Sequence, residues 1–380
     1  MRASRRGRIP AFLAMEAARE ARARQAGGRD VIRLDLGQPD WPAPQAARTA
    51  LEAAMAHQPL GYTDALGAMA LREAIATLYQ ERYGLILDPA QVAVTTGASG
   101  AFLLAFLALF DPGERVALAS PGYPPYRHIL SALGVEAVSL PARLEDRLQL
   151  TPALIEAAAA SGPVHGALLA APANPTGAGA DAAQLAALAQ ATRKAGAVLI
   201  SDEIYHGLHF ERPAPSALAA DPDAVIVNSF SKYWGMTGWR VGWLVAPAGL
   251  VPVLERLAQN LFICPPAAAQ TAALGALQAV EECEARRTVY AANRALLLRA
   301  LPELELAPVV VPDGAFYVLA DVTQTGLGAG AYARRALEAD VALTPGLDFD
   351  PARGEAWVRL SFALPTARLE QALERLHRLR

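Results

Sequence analysis

Cysteine, lysine and long apolar runs are scarce in this chain of 380 residues. The two cysteines, Cys264 and Cys283, are far apart and in no CxxC spacing, which argues against a disulfide framework or a cysteine-based metal site. No apolar run approaches the roughly 18 residues that a membrane span needs. The net charge of -3 offers no basic excess for nucleic acid. We therefore expect a cytoplasmic protein with reduced thiols and neither a membrane nor a nucleic-acid partner.

The N-terminal residues superficially look like a leader peptide, because several arginines precede the apolar residues 9–15. Glu16 and Glu20 interrupt that pattern, and no small-residue cleavage site follows. We expect an amphipathic first helix instead.

The order of apolar segments predicts an α/β fold with two lobes. Strand-like runs alternate with helical patterns from about residue 51 to 278, which is typical of a mostly parallel sheet flanked by helices. The predicted strands are residues 92–95, 115–119, 167–171, 198–202, 225–228 and 240–246. After about residue 281 the pattern changes to a long helix (284–301), a strand pair (around 309–322), a helix (near 331–339), a strand (357–362) and a last helix.

This change in pattern predicts three parts of the chain. Residues 45–278 would form a large domain with the mostly parallel sheet, at whose edge a ligand or cofactor would bind. Residues 279–380 would form a smaller α+β domain, and the N-terminal segment 1–44 would pack on that smaller domain.

Lysine occurs only twice among the 34 basic residues, at Lys194 and Lys232. Arginine stays protonated and cannot form an imine, whereas a lysine amine can. Lys194 precedes a glycine at the end of a predicted helix, where a cation stabilises the helix dipole. Lys232 instead follows the predicted strand 225–228, at the edge of the sheet where ligands of such folds bind. Lys232 is therefore the candidate for covalent chemistry.

Three other groups are expected at the same edge. Gly97, Ala98 and Ser99 follow a strand and begin a helix, so their amides could hold a phosphate, although the same pattern also fits a plain turn. Asp202 ends a buried strand, where a capping role is the alternative. Arg240 is suited to phosphate. An amine, an acid and a phosphate site together point to pyridoxal phosphate.

Several motifs occur in a characteristic order. They are GQPD at 37–40, YT at 62–63 with Gly67 and LR at 71–72, ANPTG at 173–177, SFSK at 229–232 and GMTGWRVGW at 235–243. These motifs resemble those of the class I and II aminotransferases, in the aspartate aminotransferase superfamily of fold-type I pyridoxal-phosphate enzymes. The resemblance covers nearly the whole chain and is most specific around Lys232. It implies a transaminase that moves an amino group between an L-amino acid and a 2-oxo acid, in a homodimer with shared active sites.

The resemblance also implies a role for each matching residue. Lys232 would form the aldimine with the cofactor and move the substrate proton, and Asp202 would pair with the ring nitrogen. Tyr205 and Asn174 would hydrogen-bond the phenolic oxygen, and Tyr123 would stack on the ring. The phosphate would be held by Gly97, Ala98, Ser99, Ser229, Ser231 and Arg240, with Tyr62 of the partner subunit. The substrate carboxylate would be bound by Arg359, Asn174 and the backbone of Gly37.

Other interpretations stay open for some of these residues. Arg359 could be a surface ion-pair partner, and Tyr123 could simply pack its loop. His206 and His209 have no third ligand at zinc spacing, so local packing is favoured and no metal is expected.

The sequence departs from the family pattern at positions that concern the substrate. No charged side chain stands at Ala98 or Ser99, which puts dicarboxylate specificity in doubt. The segment 344–350, in a region that often borders the substrate, ends in Asp350 where relatives usually have glycine. Trp41 could shape an apolar pocket.

Two other functions are also compatible with parts of this pattern. A carbon–sulfur β-lyase, or another enzyme that eliminates at the α-carbon, would use the same motifs. The effector lobe of a transcription regulator also resembles aminotransferases, but the motif at 37–40 leaves no room before it for a DNA-binding domain.

Overall fold

A computed structural model describes residue 2 and residues 4–379; residues 1, 3 and 380, which belong to the predicted terminal parts, lie outside the described residues. Within the described part there are thirteen strands. In chain order they are β1 (Ile32–Arg33), β2 (Val92–Thr95), β3 (Arg115–Ser120), β4 (Glu136–Pro141), β5 (Gly166–Ala170), β6 (Val198–Asp202), β7 (Val225–Ser229), β8 (Gly242–Val245), β9 (Ala307–Pro308), β10 (Tyr317–Asp321), β11 (Val341–Ala342), β12 (Thr344–Pro345) and β13 (Trp357–Ser361).

The same part of the chain contains twelve α-helices. They are α1 (Leu13–Ala26), α2 (Gln45–His57), α3 (Met69–Tyr83), α4 (Gly97–Leu109), α5 (Pro124–Leu133), α6 (Pro152–Ala160), α7 (Ala182–Lys194), α8 (Val251–Leu261), α9 (Ala267–Ala276), α10 (Val280–Ala300), α11 (Ala329–Glu338) and α12 (Thr366–His377). None of these helices is long and apolar enough to cross a membrane.

The seven-stranded sheet has the strand order β2-β8-β7-β6-β5-β3-β4. Strands β7, β6, β5, β3 and β4 pair in parallel, whereas β8 pairs antiparallel with both β7 and β2. Every residue of β2, β7 and β8 is buried, which explains their continuous apolar sequences. The prediction of an α/β fold with a mostly parallel sheet is confirmed.

The sequence prediction of this sheet was wrong in two respects. Strand β4 was missed, because its residues are only partly buried and end in Pro141, so they lack the apolar run of a central strand. The strand predicted at 240–246 begins two residues later, because Arg240 has a φ of 53°, a left-handed conformation that no strand residue adopts.

A second sheet lies in the C-terminal part of the chain. Its antiparallel order is β12-β13-β10-β9, and beside it β1 pairs in parallel with β11. The amide of Ser361 also donates to Leu34 O at 2.7 Å. The N-terminal segment thus contacts C-terminal strands, while the domain boundaries at 44/45 and 278/279 stay a prediction.

Candidate active site

A cavity of about 260 Å³ lies at the carboxyl edge of the parallel strands. It is lined by Phe12, Ala14, Met15, Asp35, Leu36, Gly37, Gln38, Ala98, Ser99, Phe102, Tyr123, Pro125, Tyr126, Ile129, Asn174, Asp202, Ile204, Tyr205, Ser231, Lys232, Thr237, Arg240, Tyr317 and Arg359. Most of the side chains predicted for the site therefore meet in one place.

Helix α4 points its N-terminus into this cavity. Its first residues are Gly97, Ala98 and Ser99, whose amides have no acceptor one turn earlier in the helix. Gly97 has a φ of 73°, and a Cβ there would collide with the guanidinium of Arg240. Arg240 donates to Thr237 O at 2.9 Å. Free amides, a helix dipole and a guanidinium together make an anion site.

Of the other predicted phosphate ligands, one lines the cavity and two do not. Ser231 lines the cavity, but Ser229 is fully buried behind it, with its Oγ 2.8 Å from Ser231 Oγ and donating to Val241 O at 2.9 Å. Tyr62 is 88% exposed and does not line the cavity within one chain.

Lys232 brings its amine to the middle of the cavity. Nζ donates to Gly37 O at 2.5 Å. Burial and the nearby cations of Arg359 and Arg240 lower the pKa of Lys232 from 10.5 to about 8, against the opposing charge of Asp202. About a tenth of this amine is uncharged at pH 7, far more than at the ordinary lysine pKa, and the uncharged form is the one that acts as a nucleophile or base.

Asp202 is 3% exposed, and its carboxylate accepts hydrogen bonds from two donors. Tyr126 donates its hydroxyl to Oδ2, and the amide of Ile204 donates to Oδ1 at 3.0 Å. Burial raises the pKa of Asp202 to about 6, while both donors and the charge of Lys232 lower it. Tyr126 was not found from the sequence, because it reaches Asp202 from a helix 76 residues away.

Arg359 is buried and lines the same cavity. Its Nη1 donates to Asn174 Oδ1 at 2.9 Å and its Nη2 to Asp35 O at 2.6 Å, while the buried Nε has no partner. The guanidinium lies 4.4 Å from the ring centroid of Tyr317 and 4.9 Å from that of Phe349. A buried cation with an unused donor is a site for a carboxylate.

Aromatic side chains complete the walls. Tyr205 Oη is 2.9 Å from Tyr317 Oη, and the ring of Tyr123 lies edge-on to Tyr126 with centroids 5.2 Å apart. Tyr317 was a second residue that the sequence did not reveal. Its position on β10 opposite β13 brings it to Arg359 only through the strand pairing.

Two residues that the sequence associated with the substrate lie outside the cavity. Asp350 is 2% exposed and pairs with Arg353 at 2.8 Å, and Arg353 in turn donates to Ala142 O at 2.8 Å. Trp41 packs against the main apolar core. Trp41 does not line the cavity within one chain, and its expected part in shaping a substrate pocket stays a prediction.

A second buried acid, Glu203, directly follows Asp202. Its Oε1 accepts from Ser216 Oγ at 2.9 Å and from the amide of Ala217 at 2.8 Å, while Oε2 has no donor and lies 3.5 Å from His206 Nδ1. His206 Nε2 is 3.0 Å from Ala171 O, so Nε2 must carry the proton. Burial raises the pKa of Glu203 to about 8 and lowers that of His206 to about 3. The pair is therefore uncharged at neutral pH rather than an ion pair.

Fold and cavity together define an enzyme active site, with a lysine amine between an acid, an anion site and a buried arginine. The family described as aminotransferase class I and II matches residues 29–376. The chain belongs to this family.

Individual relatives agree with this assignment. Valine–pyruvate aminotransferase of Mycobacterium tuberculosis is 44% identical over 99% of this chain and 97% of its own length. Arginine–pyruvate transaminase AruH of Pseudomonas aeruginosa is 36% identical over 94% of this chain and 91% of its own. The solved aspartate aminotransferase of Thermus thermophilus with maleate has a TM-score of 0.94 at 32% identity and covers 100% of both chains. The protein is an aminotransferase, and these relatives do not favour the elimination alternative.

Proposed function

We propose that this aminotransferase uses pyridoxal 5'-phosphate attached to Lys232, and that pyruvate accepts the amino group from an L-amino acid. The observation that carries the proposal is the buried amine of Lys232, whose pKa is lowered to about 8 in the same cavity as Asp202. The names of two relatives include pyruvate, which supports the choice of acceptor.

The residues of the cavity fit this cofactor. Its phosphate matches the amides at Gly97, Ala98 and Ser99 with Arg240, where even a Cβ on Gly97 would not fit. Asp202 would face the ring nitrogen, and Asn174 and Tyr205 the phenolic oxygen. When bound, pyridoxal phosphate supplies a conjugated ring that accepts the electron pair left by loss of the α-hydrogen.

The protein contributes proton handling and orientation. Uncharged Lys232 Nζ can accept the proton from the substrate α-carbon. The Asp202 carboxylate, held ionised by the Tyr126 hydroxyl, keeps a proton on the facing nitrogen. The Arg359 guanidinium, which lines the cavity, would bind the substrate carboxylate and thereby fix which α-substituent faces Lys232.

Borohydride trapping tests the attachment. Reduction of the protein loaded with pyridoxal phosphate should add the cofactor mass to the peptide that contains Lys232, and Lys232→Ala should abolish it. Lys194→Ala, at a lysine 78% exposed, is the matched control and should keep the label. Mixing with an L-amino acid and pyruvate should then yield alanine. A label elsewhere, or no alanine from any donor, would contradict the proposal.

We infer that the protein is a cytoplasmic homodimer in which Tyr62 serves the cofactor of the partner subunit. Its 88% exposure in the single chain supports this inference, since a residue offered to another subunit must project from its own. Sedimentation should give twice the monomer mass, and Tyr62→Phe should weaken cofactor binding without changing that mass.

A further inference from the structure

Part of the cavity lining is apolar, and two of its four side chains come from the start of helix α1. Phe12, Met15, Leu36 and Ile129 line it, and the ring of Phe12 lies edge-on to Tyr123 with centroids 5.9 Å apart. We refer to these four residues as the apolar wall. Apolar surface of this kind favours a substrate side chain without charge, because a buried carboxylate or ammonium without a partner is strongly disfavoured.

The charged residues of the lining offer nothing to a second carboxylate. Lys232, Arg240 and Arg359 already have assigned roles, and these are the cations among the lining residues that the structure describes. Asp35 is bound to Arg33 through two contacts of 2.8 Å. Among the residues of one chain, a dicarboxylic amino acid would therefore find no free cation for its side chain and would place that charge against the apolar wall.

A distant carboxylate fixes the position of this wall. Phe12, the N-cap residue of α1, has no side chain that can cap a helix. Asp348 takes that role across the fold, accepting from the amide of Ala14 at 2.9 Å and from that of Leu13 at 3.3 Å. Asp348 is 2% exposed, and its negative charge also suits the N-terminal dipole.

The segment that carries Asp348 also contacts Arg359, the residue expected to bind the substrate carboxylate. Its neighbour Phe349 lies against the Arg359 guanidinium at 4.9 Å. Arg127 of α5 donates to the backbone oxygen of Asp348. One short segment thus connects the arginine, the helix that bears Tyr126 and the start of α1.

We propose, on the basis of the function proposed above, that the amino donor has an apolar side chain and that Asp348 is the positioning residue for this specificity. Asp348 holds α1 so that Phe12 and Met15 close on the donor side chain. Loss of the carboxylate releases the wall, and the enzyme then distinguishes apolar donors of different size poorly.

The test compares donors and variants of the holoenzyme with pyruvate as acceptor. The donors are L-2-aminobutyrate, L-valine, L-leucine and L-aspartate, and kcat and KM are measured for each. Wild type should prefer its best apolar donor to L-aspartate by at least about tenfold. Asp348→Ala should raise KM for that donor about fivefold, as expected for the loss of a helix cap, with less change in kcat. Its ratios of kcat/KM among the apolar donors should move toward one.

Two further variants separate positioning from general stability. Asp348→Asn retains a capping side chain and should restore most of the discrimination. Asp181→Ala removes the N-cap of α7, where Asp181 and Gln184 form a capping box, and should lower stability without changing the donor ratios. Phe12→Leu makes a side chain of the apolar wall smaller. It should change the kcat/KM ratios among the donors even if Asp348→Ala does not fold.

The outcomes distinguish this inference from the proposed function. No transfer from any donor by wild type would contradict the proposed function itself. Transfer that is as efficient from L-aspartate as from the apolar donors would overturn the substrate class. Unchanged donor ratios in Asp348→Ala, or in Phe12→Leu if the former is unfolded, would overturn the role of Asp348 and its wall.

Discussion

Replacing Glu203 by glutamine should change how the stability of the protein depends on pH. Burial raises the pKa of Glu203 from 4.5 to about 8, so between these values the folded state keeps a proton that the unfolded chain releases. Wild type should therefore lose unfolding free energy as pH rises through this window, by on the order of 1 kcal/mol per pH unit from this group.

The glutamine variant should not lose unfolding free energy in this way as pH rises, because its side chain cannot ionise. Its oxygen still accepts from Ser216 and Ala217, and its NH₂ group takes the place of Oε2, 3.5 Å from His206 Nδ1, which Tyr83 Oη already contacts at 2.7 Å. The difference in unfolding free energy between variant and wild type should thus grow with pH, to a few kcal/mol near pH 8. The shifted pKa values of Asp202 and His206 act in both proteins and cancel in the difference.

Urea unfolding of the cofactor-free proteins, followed by tryptophan fluorescence at one protein concentration, measures this difference at several pH values from about 5 to about 8. Glu370→Gln, at an exposed carboxylate on α12, is the control and should give a constant difference. A constant difference for Glu203→Gln as well would show that Glu203 is ionised in the folded protein, and our reasoning from burial would be refuted.

Three further predictions concern the cavity and its support. Tyr126→Phe removes a donor that lowers the pKa of Asp202, so the acidic limb of the pH profile of kcat should move to higher pH. Arg359→Lys should raise KM for the amino donor roughly 10- to 100-fold while circular dichroism stays unchanged, since one charged hydrogen bond contributes about 1.5–3 kcal/mol. Asp350→Ala should lower the unfolding free energy in urea by about 1–3 kcal/mol, a range that allows for the 35% exposure of Arg353; an unchanged value would contradict the pairing seen here.

The central strands and the chemistry at their ends could be predicted from sequence because both depend on local patterns. Strand β6 was located at its observed bounds, residues 198–202, because both faces are buried and its apolar run ends in a charge. Lys232 was recognised because arginine replaces lysine at almost every other position. The strand signal lies within the segment itself, and the lysine signal needs only the composition of the chain.

Contacts made across the fold were not predictable in this way. Asp348 caps a helix that begins 335 residues earlier, and Tyr126 reaches Asp202 from a separate helix. Glu203 directly follows Asp202 in the sequence, and its burial outside the cavity is visible only in three dimensions.

The reversed direction of β8 has a consequence for how this site can change. Because the chain turns back after β7, Lys232 and Arg240 lie on one loop that Phe230 and Val241 close with a hydrogen bond of 3.1 Å. A residue inserted into or deleted from that loop would displace the amine and the guanidinium at the same time. Substitutions in α1 and in residues 344–350 are therefore the easier route to new substrate preferences. They can change the wall of the cavity while Lys232 and the anion site keep their positions.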